Sequence, residues 1–155
     1  MRIRAFEPRD GVDWGRIFHA AVHGIGVRDY TPAQCEAWSP EEAPAKVIRE
    51  RARDGRTIWV AADRADVAQG FIELEPDGHI DCFYIAPVHA GTGMGAALYA
   101  ALEEEANSRG LARLYVEASE AARRFFLRHG FTDQGRREFT RRGVSMHNYA
   151  MEKAL

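Results

Sequence analysis

The stretch that decides the fold is APVHAGTGMGAALYAALEEEA, residues 86–106, in which Gly91, Gly93 and Gly95 alternate before an uninterrupted run rich in alanine and leucine. Glycine lets the backbone turn sharply and lets a ligand approach peptide N–H groups without meeting a Cβ atom. The first N–H groups of a helix have no partner inside it, and the helix dipole adds about half a positive charge there. A strand, a glycine-rich turn and a helix start together predict a site for a phosphate or pyrophosphate group. A strand-to-helix turn that binds nothing is the structural alternative.

The segments around this turn predict a mixed α/β order, in the α+β class. Alternating apolar residues predict an antiparallel meander before the turn and a hairpin at the end, with strands at residues 3–6, 57–62, 67–74, 79–86, 112–118, 131–140 and 144–153. Apolar residues three and four apart predict a first helix capped by Asp13, and capping-box patterns at 31–34 and 39–42 predict two short helices. Ser119 starts a further short helix that Gly130 ends.

Composition limits the class of protein. The 155 residues carry a formal net charge of -2, and 46% of them are hydrophobic, which is typical of one globular domain over residues 1–155. That charge does not favour nucleic acid or anionic lipid as a partner. The first residues lack the apolar core of a signal peptide, and no eighteen apolar residues run together. The two cysteines, Cys35 and Cys82, are far apart in the sequence and favour small buried thiols in a reducing compartment, so we expect a cytoplasmic protein with no membrane partner.

Two common phosphate-binding motifs compete for the glycine-rich turn. No lysine follows the glycines, which argues against a P-loop. Gly91, Gly93 and Ala96 satisfy the dinucleotide fingerprint, and Glu117 ends the next strand, where a ribose-binding acid is expected. A dinucleotide fold keeps alternating strands and helices into a parallel sheet, whereas this sequence predicts antiparallel strands on both sides of the turn. A dinucleotide-binding enzyme therefore stays as a minor alternative.

The chain resembles the GNAT-type N-acetyltransferases over nearly its whole length. Residues 90–95 occupy their diphosphate loop, Gln/Arg-x-x-Gly-x-Gly/Ala, although Ala90 stands where that family has Gln or Arg. Ser119, Ala122, Phe126 and the HGF at 129–131 lie at the spacing of their next motif. The resemblance implies a three-layer fold whose mostly antiparallel sheet is splayed between its fourth and fifth strands. It also implies acetyl-CoA as the cofactor and transfer of an acetyl group to an amine.

The resemblance assigns cofactor contacts to backbone groups. The pantetheine arm is expected to pair with the fourth strand as an extra strand would, and the pyrophosphate is expected on the N–H groups from Gly91 to Gly95. Ser119 has a second role as a helix cap, and Arg123 and Arg124 are candidates to meet the phosphates. The expected cofactor-binding residues are Phe83, Tyr84, Ile85, Ala90, Gly91, Thr92, Gly93, Met94, Gly95, Ala96, Ser119 and Phe126.

Direct acyl transfer requires the amine to lose a proton, so a general base is expected within reach. In several enzymes of the family a Glu or His eleven residues before the loop's Gln/Arg supplies it, and counting back from Ala90 gives His79. Asp81 shares the face of the strand with His79 and could orient or charge the imidazole. Glu117 on the neighbouring strand is the reserve candidate. A turn-proximal His and Asp that only face water is the alternative.

Phe126 stands where the family often has a tyrosine that protonates the departing thiolate. Phenylalanine has no proton to give, so either the thiolate leaves unaided, or water or another phenol helps it. The candidate phenols are Tyr84, Tyr115 and Tyr149, and we include Tyr149 among the expected catalytic residues. Loss of chemistry is the other alternative, in which the domain only binds acyl-CoA as a non-catalytic sensor.

The acceptor amine, a small molecule or a peptide, is left open by the sequence, as is oligomeric state, with a homodimer as one alternative. In the family the first two helices wall the acceptor site, which suggests His23, Tyr30 and Trp38 as substrate contacts; Trp38 could equally be core. His19 and His23 lie four apart without a third ligand nearby, so we expect no metal site. The arginines of residues 135–143 are interpreted as solvated protection of a sheet edge.

Overall fold

The computed structural model describes residues 1–155 and contains one seven-stranded sheet with helices on both faces. The strands are β1 (Arg2–Ala5), β2 (Thr57–Ala62), β3 (Ala68–Leu74), β4 (His79–Ile85), β5 (Arg113–Ala118), β6 (Thr132–Arg141) and β7 (Val144–Ala154). Their order across the sheet is β1-β2-β3-β4-β5-β7-β6, and every neighbouring pair is antiparallel except β4 and β5. This confirms the predicted fold class and contradicts the parallel sheet that a dinucleotide fold requires.

The chain forms five α-helices, and side chains cap the starts of two of them. The helices are α1 (Gly11–Gly24), α2 (Pro32–Trp38), α3 (Ala45–Arg51), α4 (Met94–Ser108) and α5 (Glu120–Arg128), and none is long and apolar enough to span a membrane. The capping box before α2 forms as predicted, because Thr31 Oγ1 accepts from the Gln34 N–H at 3.2 Å and Gln34 Oε1 accepts from the Thr31 N–H at 2.9 Å. Ser119 caps α5 by accepting the N–H of Ala122 at 3.3 Å.

Two predicted helix starts are wrong. Helix α1 begins at Gly11, and the carboxylate of Asp13 accepts instead from Arg16 at 3.2 Å. Residues 39–42 form no helix start, since α3 begins at Ala45. Ser39 is buried and its Oγ lies 2.8 Å from His19 Nδ1, so this hydroxyl is engaged by α1 rather than by a helix of its own.

Two hydrophobic clusters hold the layers on opposite faces of the sheet. The larger one joins the sheet to α4 and α5 through residues such as Leu98, Leu102 and Phe126, which are fully buried. The other joins it to α1 and α3 through Ile17 and Ile48. Each fully buried side chain of this kind contributes about 1.5–3 kcal/mol to folding. The sheet is therefore a fixed platform for the groups at its centre.

Strand β4 contains a bulge at its middle. Between the paired residues Ile80 and Phe83, both Asp81 and Cys82 lie opposite the single residue Glu73 of β3. A bulge of this kind shifts the alternation of side chains between the two faces of a sheet. As a result, two residues of β4 on either side of the bulge that are separated by an even number of positions have side chains on opposite faces of the sheet.

Strands β4 and β5 are joined only at their first residues. The parallel pairing consists of His79 with Tyr115 and Ile80 with Val116, although β4 continues to Ile85 and β5 to Ala118. Beyond these two pairs the strands separate and leave a gap in the sheet. This confirms the predicted splay between the fourth and fifth strands.

Candidate active site

Two cavities meet at the gap between β4 and β5. The first cavity, of about 510 Å³, lies over the face of the sheet that carries α1, α2 and α3. The second cavity, of about 390 Å³, lies beside the start of α4. The residues that line both are Trp38, Phe83, Tyr84, Ser119 and Ala122. A molecule that enters from the start of α4 can therefore reach the first cavity through the gap.

The glycine-rich turn presents unpaired N–H groups to the second cavity. The N–H groups that donate to no protein acceptor are those of Gly91, Gly93, Met94, Gly95 and Ala96. The N–H of Thr92 is used internally, since it donates to the carbonyl of His89 at 3.3 Å. The φ angles of Gly91 and Gly93 are +75° and +88°, and a Cβ atom on either would meet nothing within 4 Å. The turn is thus an open cradle of donors at a helix start, where an anion is favoured.

The free edge of β4 faces the gap. The Ala86 N–H donates to Gln69 of β3 at 2.8 Å, so by the alternation of antiparallel ladders Tyr84 also points its peptide groups at β3. Phe83 and Ile85 then point theirs away from β3, toward the gap, where β5 has already separated. Of the three expected main-chain contacts, Phe83 and Ile85 have free groups, and Tyr84 offers its side chain.

His79 is held between two carboxylates at the edge of the first cavity. Its Nδ1 lies 2.9 Å from Glu75 Oε1, and its Nε2 lies 2.6 Å from Glu117 Oε2. Burial opposes the charged imidazolium, but the hydrogen bonds to the two carboxylates outweigh that cost, so the pKa of His79 is raised above its usual value. While charged, His79 has no nitrogen free to accept a proton. Glu117 also lines the cavity, and its Oε1 makes no hydrogen bond to protein.

Asp81 makes no hydrogen bond to His79, although its charge is among the causes that raise the pKa of that imidazole. Its carboxylate is instead bonded to Arg51 and to Arg56, the latter at 2.8 Å. The same two arginines bind Glu73, a carboxylate with no exposed surface whose Oε1 also accepts from Trp14 Nε1 at 2.8 Å. Asp81 therefore belongs to a structural ion-pair network that reaches the cavity wall.

The thiol of Cys82 also lines the first cavity, with its Sγ 3.1 Å from Arg51 Nη2. Burial raises the pKa of this thiol well above its usual value. The thiol is protonated at neutral pH, as the interpretation of Cys82 as a small buried residue requires.

Aromatic side chains wall the first cavity on the side of α1 and α2. Tyr30 and Trp38 line it, as predicted for substrate contacts, together with Phe18 and Phe139. The Tyr30 hydroxyl donates to the carbonyl of His147 at 3.0 Å and accepts the N–H of Glu120 at 3.2 Å. His23 does not line either cavity. Its Nε2 lies 2.7 Å from the Ser39 carbonyl, so its role is to hold the loop before α3.

Tyr149 and Phe126, which were expected near the thioester, do not take the positions that the sequence suggested. Tyr149 lines neither cavity, and its hydroxyl donates to Glu120 at 2.7 Å, which raises its pKa. Phe126 has no exposed surface and packs in the larger core cluster, at the floor of the first cavity. Arg123 and Arg124 line neither cavity and are paired with carboxylates of their own.

Several functional residues were missed from the sequence. Glu75 precedes the strand in a turn, and only the folded chain brings it to His79. Arg128 lines the second cavity without an ion-pair partner, unlike Arg124. Arg137 and Arg141 are exposed on the edge strand β6, as predicted, and in addition they line the first cavity. Their alternation along β6, with Phe139 between them, was the available signal.

The comparisons with known proteins agree with this geometry. A family model described as Acetyltransferase (GNAT) domain matches residues 27–153. The chain is 28% identical over 152 residues to the Uncharacterized N-acetyltransferase YafP of Escherichia coli strain K12, covering 97% of this chain and 94% of that protein.

Solved structures show the same likeness. A GCN5-related N-acetyltransferase from Rhodopseudomonas palustris is 31% identical, with a TM-score of 0.85 over 99% of this chain and 95% of that one. A structure titled PaiA N-acetyltransferase from Thermoplasma acidophilum, in complex with coenzyme A, is 17% identical with a TM-score of 0.75, over 99% of this chain and 98% of that one. At that identity the second structure supports the fold alone.

Proposed function

The chain belongs to the GNAT family of N-acetyltransferases, and we propose that it transfers the acetyl group of acetyl-CoA to a primary amine by direct attack. The observation that carries this proposal is the meeting of the two cavities at the gap between β4 and β5. One cavity offers donors suited to a pyrophosphate, and the other holds a carboxylate and an imidazole suited to accepting a proton. A module that only sensed acyl-CoA would need the donors for the pyrophosphate but not the side chains that accept a proton.

The residues of the second cavity fit the cofactor. The unpaired N–H groups from Gly91 to Ala96 would hold the pyrophosphate, with Arg128 adding positive charge. The free peptide groups of Phe83 and Ile85 would bind the pantetheine arm as a neighbouring strand does. When bound, acetyl-CoA supplies an acetyl thioester, whose thiolate is a comparatively good leaving group.

Glu117 and His79 act together on the acceptor amine. An ammonium group has no lone pair, so the chain must take a proton from it before attack. Glu117 faces the cavity with a free oxygen, and we assign it the contact with the amine. His79 anchors Glu117 and shares its proton, while Glu75 holds the other side of the ring. His79 must have lost its own proton before the two side chains can take one from the amine.

Tyr84 is the phenol best situated for the departing thiolate. It lines both cavities, and its hydroxyl donates to no protein acceptor. Burial raises the pKa of Tyr84 well above its usual value, so the hydroxyl keeps its proton at neutral pH. It can therefore donate a hydrogen bond to the sulfur, in place of the tyrosine that Phe126 replaces. The hydroxyls of Tyr115 and Tyr149 are bonded to Asp77 and Glu120.

Thermal unfolding with acetyl-CoA, coenzyme A and NAD, followed by a thiol-release assay with a panel of amines, tests the proposal. A ligand at 100 times its Kd adds about 2.7 kcal/mol of stability, so acetyl-CoA is expected to raise Tm and NAD to leave it unchanged. Thiol release that depends on an added amine is the second expected result. Stabilisation by acetyl-CoA without thiol release from any amine would instead identify a sensor.

A further inference from the structure

Two arginines of β6 line the first cavity without a carboxylate partner. Arg137 donates only to the side-chain oxygen of Asn148, at 3.2 Å, and Arg141 makes no hydrogen bond or salt bridge. The guanidinium of Arg141 lies 5.8 Å from the centre of the Phe139 ring. Arg51, which lines the same cavity, is by contrast neutralised by Glu73 and Asp81. The end of the cavity formed by β6 therefore carries uncompensated positive charge.

The register of the sheet puts Arg137 and Glu117 on the same face. Glu117 lies opposite Ala150, Ala150 lies opposite Gly135, and Arg137 is two residues further along β6. Two residues restore the same face, because side chains alternate along a strand. Strands about 4.8 Å apart with a rise of about 3.4 Å per residue place the two Cα atoms roughly 12 Å apart. The proposed proton acceptor and the free arginine thus face one space.

An apolar surface lies between the two arginines. Phe139 and Met146 are directly opposite each other on β6 and β7, and both line the cavity with Tyr84 and Trp38. The hairpin that carries them is fixed on α2, since Gln34 Nε2 donates to the Ser145 carbonyl at 3.0 Å. From the row of Glu117 along β6, the cavity wall therefore presents Arg137 first, then the apolar pair of Phe139 and Met146, and last Arg141.

We propose that the acceptor is a small amine that also carries an anionic group, a carboxylate or a phosphonate, which Arg137 and Arg141 bind. This inference rests on the proposed acetyl transfer at Glu117. The ammonium of such a molecule faces Glu117, and its anion meets the guanidinium groups of Arg137 and Arg141 over the apolar surface of Phe139 and Met146. Arginine suits this task because its planar fork matches a carboxylate or a phosphoryl group with two hydrogen bonds. A volume of about 510 Å³ is in the range of sites for small molecules, about 300–1,000 Å³.

The test compares acceptors that differ only in the acid. With saturating acetyl-CoA, 4-(aminomethyl)benzoate and benzylamine present the same amine on the same ring, and the corresponding phosphonate separates the two kinds of anion. We expect kcat/KM to be about tenfold to hundredfold higher for the acidic acceptors, the range for a hydrogen bond to a charged group. Arg137→Gln and Arg141→Gln should remove most of that preference, because they raise KM for the acidic acceptors far more than KM for benzylamine. Arg136→Gln is the matched control, because Arg136 is the neighbouring residue, pairs with Glu138 and lines neither cavity.

The outcomes separate this inference from the proposed function. Acetylation of benzylamine at a kcat/KM equal to or above that of both acidic acceptors would overturn the inference and leave acetyl transfer intact. A preference for the acid that survives in both arginine variants would also overturn it. No thiol release from any amine would instead count against the proposed function. Calorimetric titration of the acidic acceptor into the protein with coenzyme A checks the arginine variants without turnover, and they are expected to bind it about tenfold or more weakly.

Discussion

Replacing Glu117 by glutamine removes the proposed proton acceptor with almost no change of shape. The glutamine amide can keep a hydrogen bond to His79 Nε2, which lies 2.6 Å from Glu117 Oε2. It cannot take a proton from an ammonium group. Glu117→Gln should therefore lower the rate with alkylamines while the fold and acetyl-CoA binding are retained.

The size of the loss follows from the acceptor's own protonation. An alkylamine with a pKa of about 10.4 is unprotonated in only about one molecule in a thousand near pH 7.4. A variant without the base depends on that fraction, so kcat/KM should fall about 10³-fold, inside the range of about 10²–10⁴ for general base catalysis. The deficit should shrink about tenfold for each unit of pH until the amine titrates. An electron-poor amine whose pKa is below the assay pH should lose less than about tenfold.

Thiol release measured with both amines over a range of pH tests whether Glu117 accepts the proton of the amine. Glu152→Gln is the matched control, since Glu152 is a partly exposed residue of β7 that pairs with Arg113 and lines neither cavity. An equal loss for the two amines would show that Glu117 positions the acceptor without taking its proton. Full activity with the alkylamine at neutral pH would remove Glu117 from the mechanism.

Three further experiments test the neighbouring structure. Glu75→Gln removes one of the carboxylates that raise the pKa of His79, so the rising limb of kcat/KM against pH should move to lower pH; an unmoved limb would mean that His79 does not control it. Gly93→Ala and Gly110→Ala both put a Cβ at positive φ with no neighbour within 4 Å, at a cost of about 1–2 kcal/mol in urea unfolding. Only Gly93→Ala should also weaken acetyl-CoA binding in titration calorimetry, and an equal Kd for both would contradict the cradle. Glu73→Ala leaves two arginines beside an emptied buried position and should lower the free energy of unfolding by about 3–5 kcal/mol. A change near zero, as expected for a solvated carboxylate, would contradict this.

The local parts of the fold were predictable from the sequence. The capping box at Thr31 and the cap at Ser119 depend on side chains that bond within three residues, so their spacing carries the information. The glycine-rich turn was also predictable, because its N–H groups stay unpaired and its geometry depends on no contact with a distant part of the chain. The pattern at residues 39–42 failed because Ser39 is held by His19, a contact over twenty residues that no local rule contains.

Only part of the proposed proton-transfer group was predictable from the sequence. The position of His79 along β4 and that of Glu117 at the end of β5 indicated both residues as candidate bases. Their contact could not be predicted, because it depends on the parallel pairing of β4 with β5. The choice of Asp81 as the partner failed because Arg51 and Arg56 bind that carboxylate from α3 and from the segment before β2. Ion pairs between residues this far apart in the chain cannot be predicted from the spacing of residues in the sequence.

The bulge in β4 explains how one strand can serve both substrates. In a regular strand His79, Phe83 and Ile85 would share one face, since they are separated by even numbers of residues. Because Asp81 and Cys82 both lie opposite Glu73, the alternation changes phase, and Phe83 and Ile85 pack toward α4 while His79 contacts Glu117 on the other face. Deleting one residue at the bulge would restore the alternation and separate the two sets of groups. The thioester and the amine can meet at the gap because the strand between them is irregular at this one point.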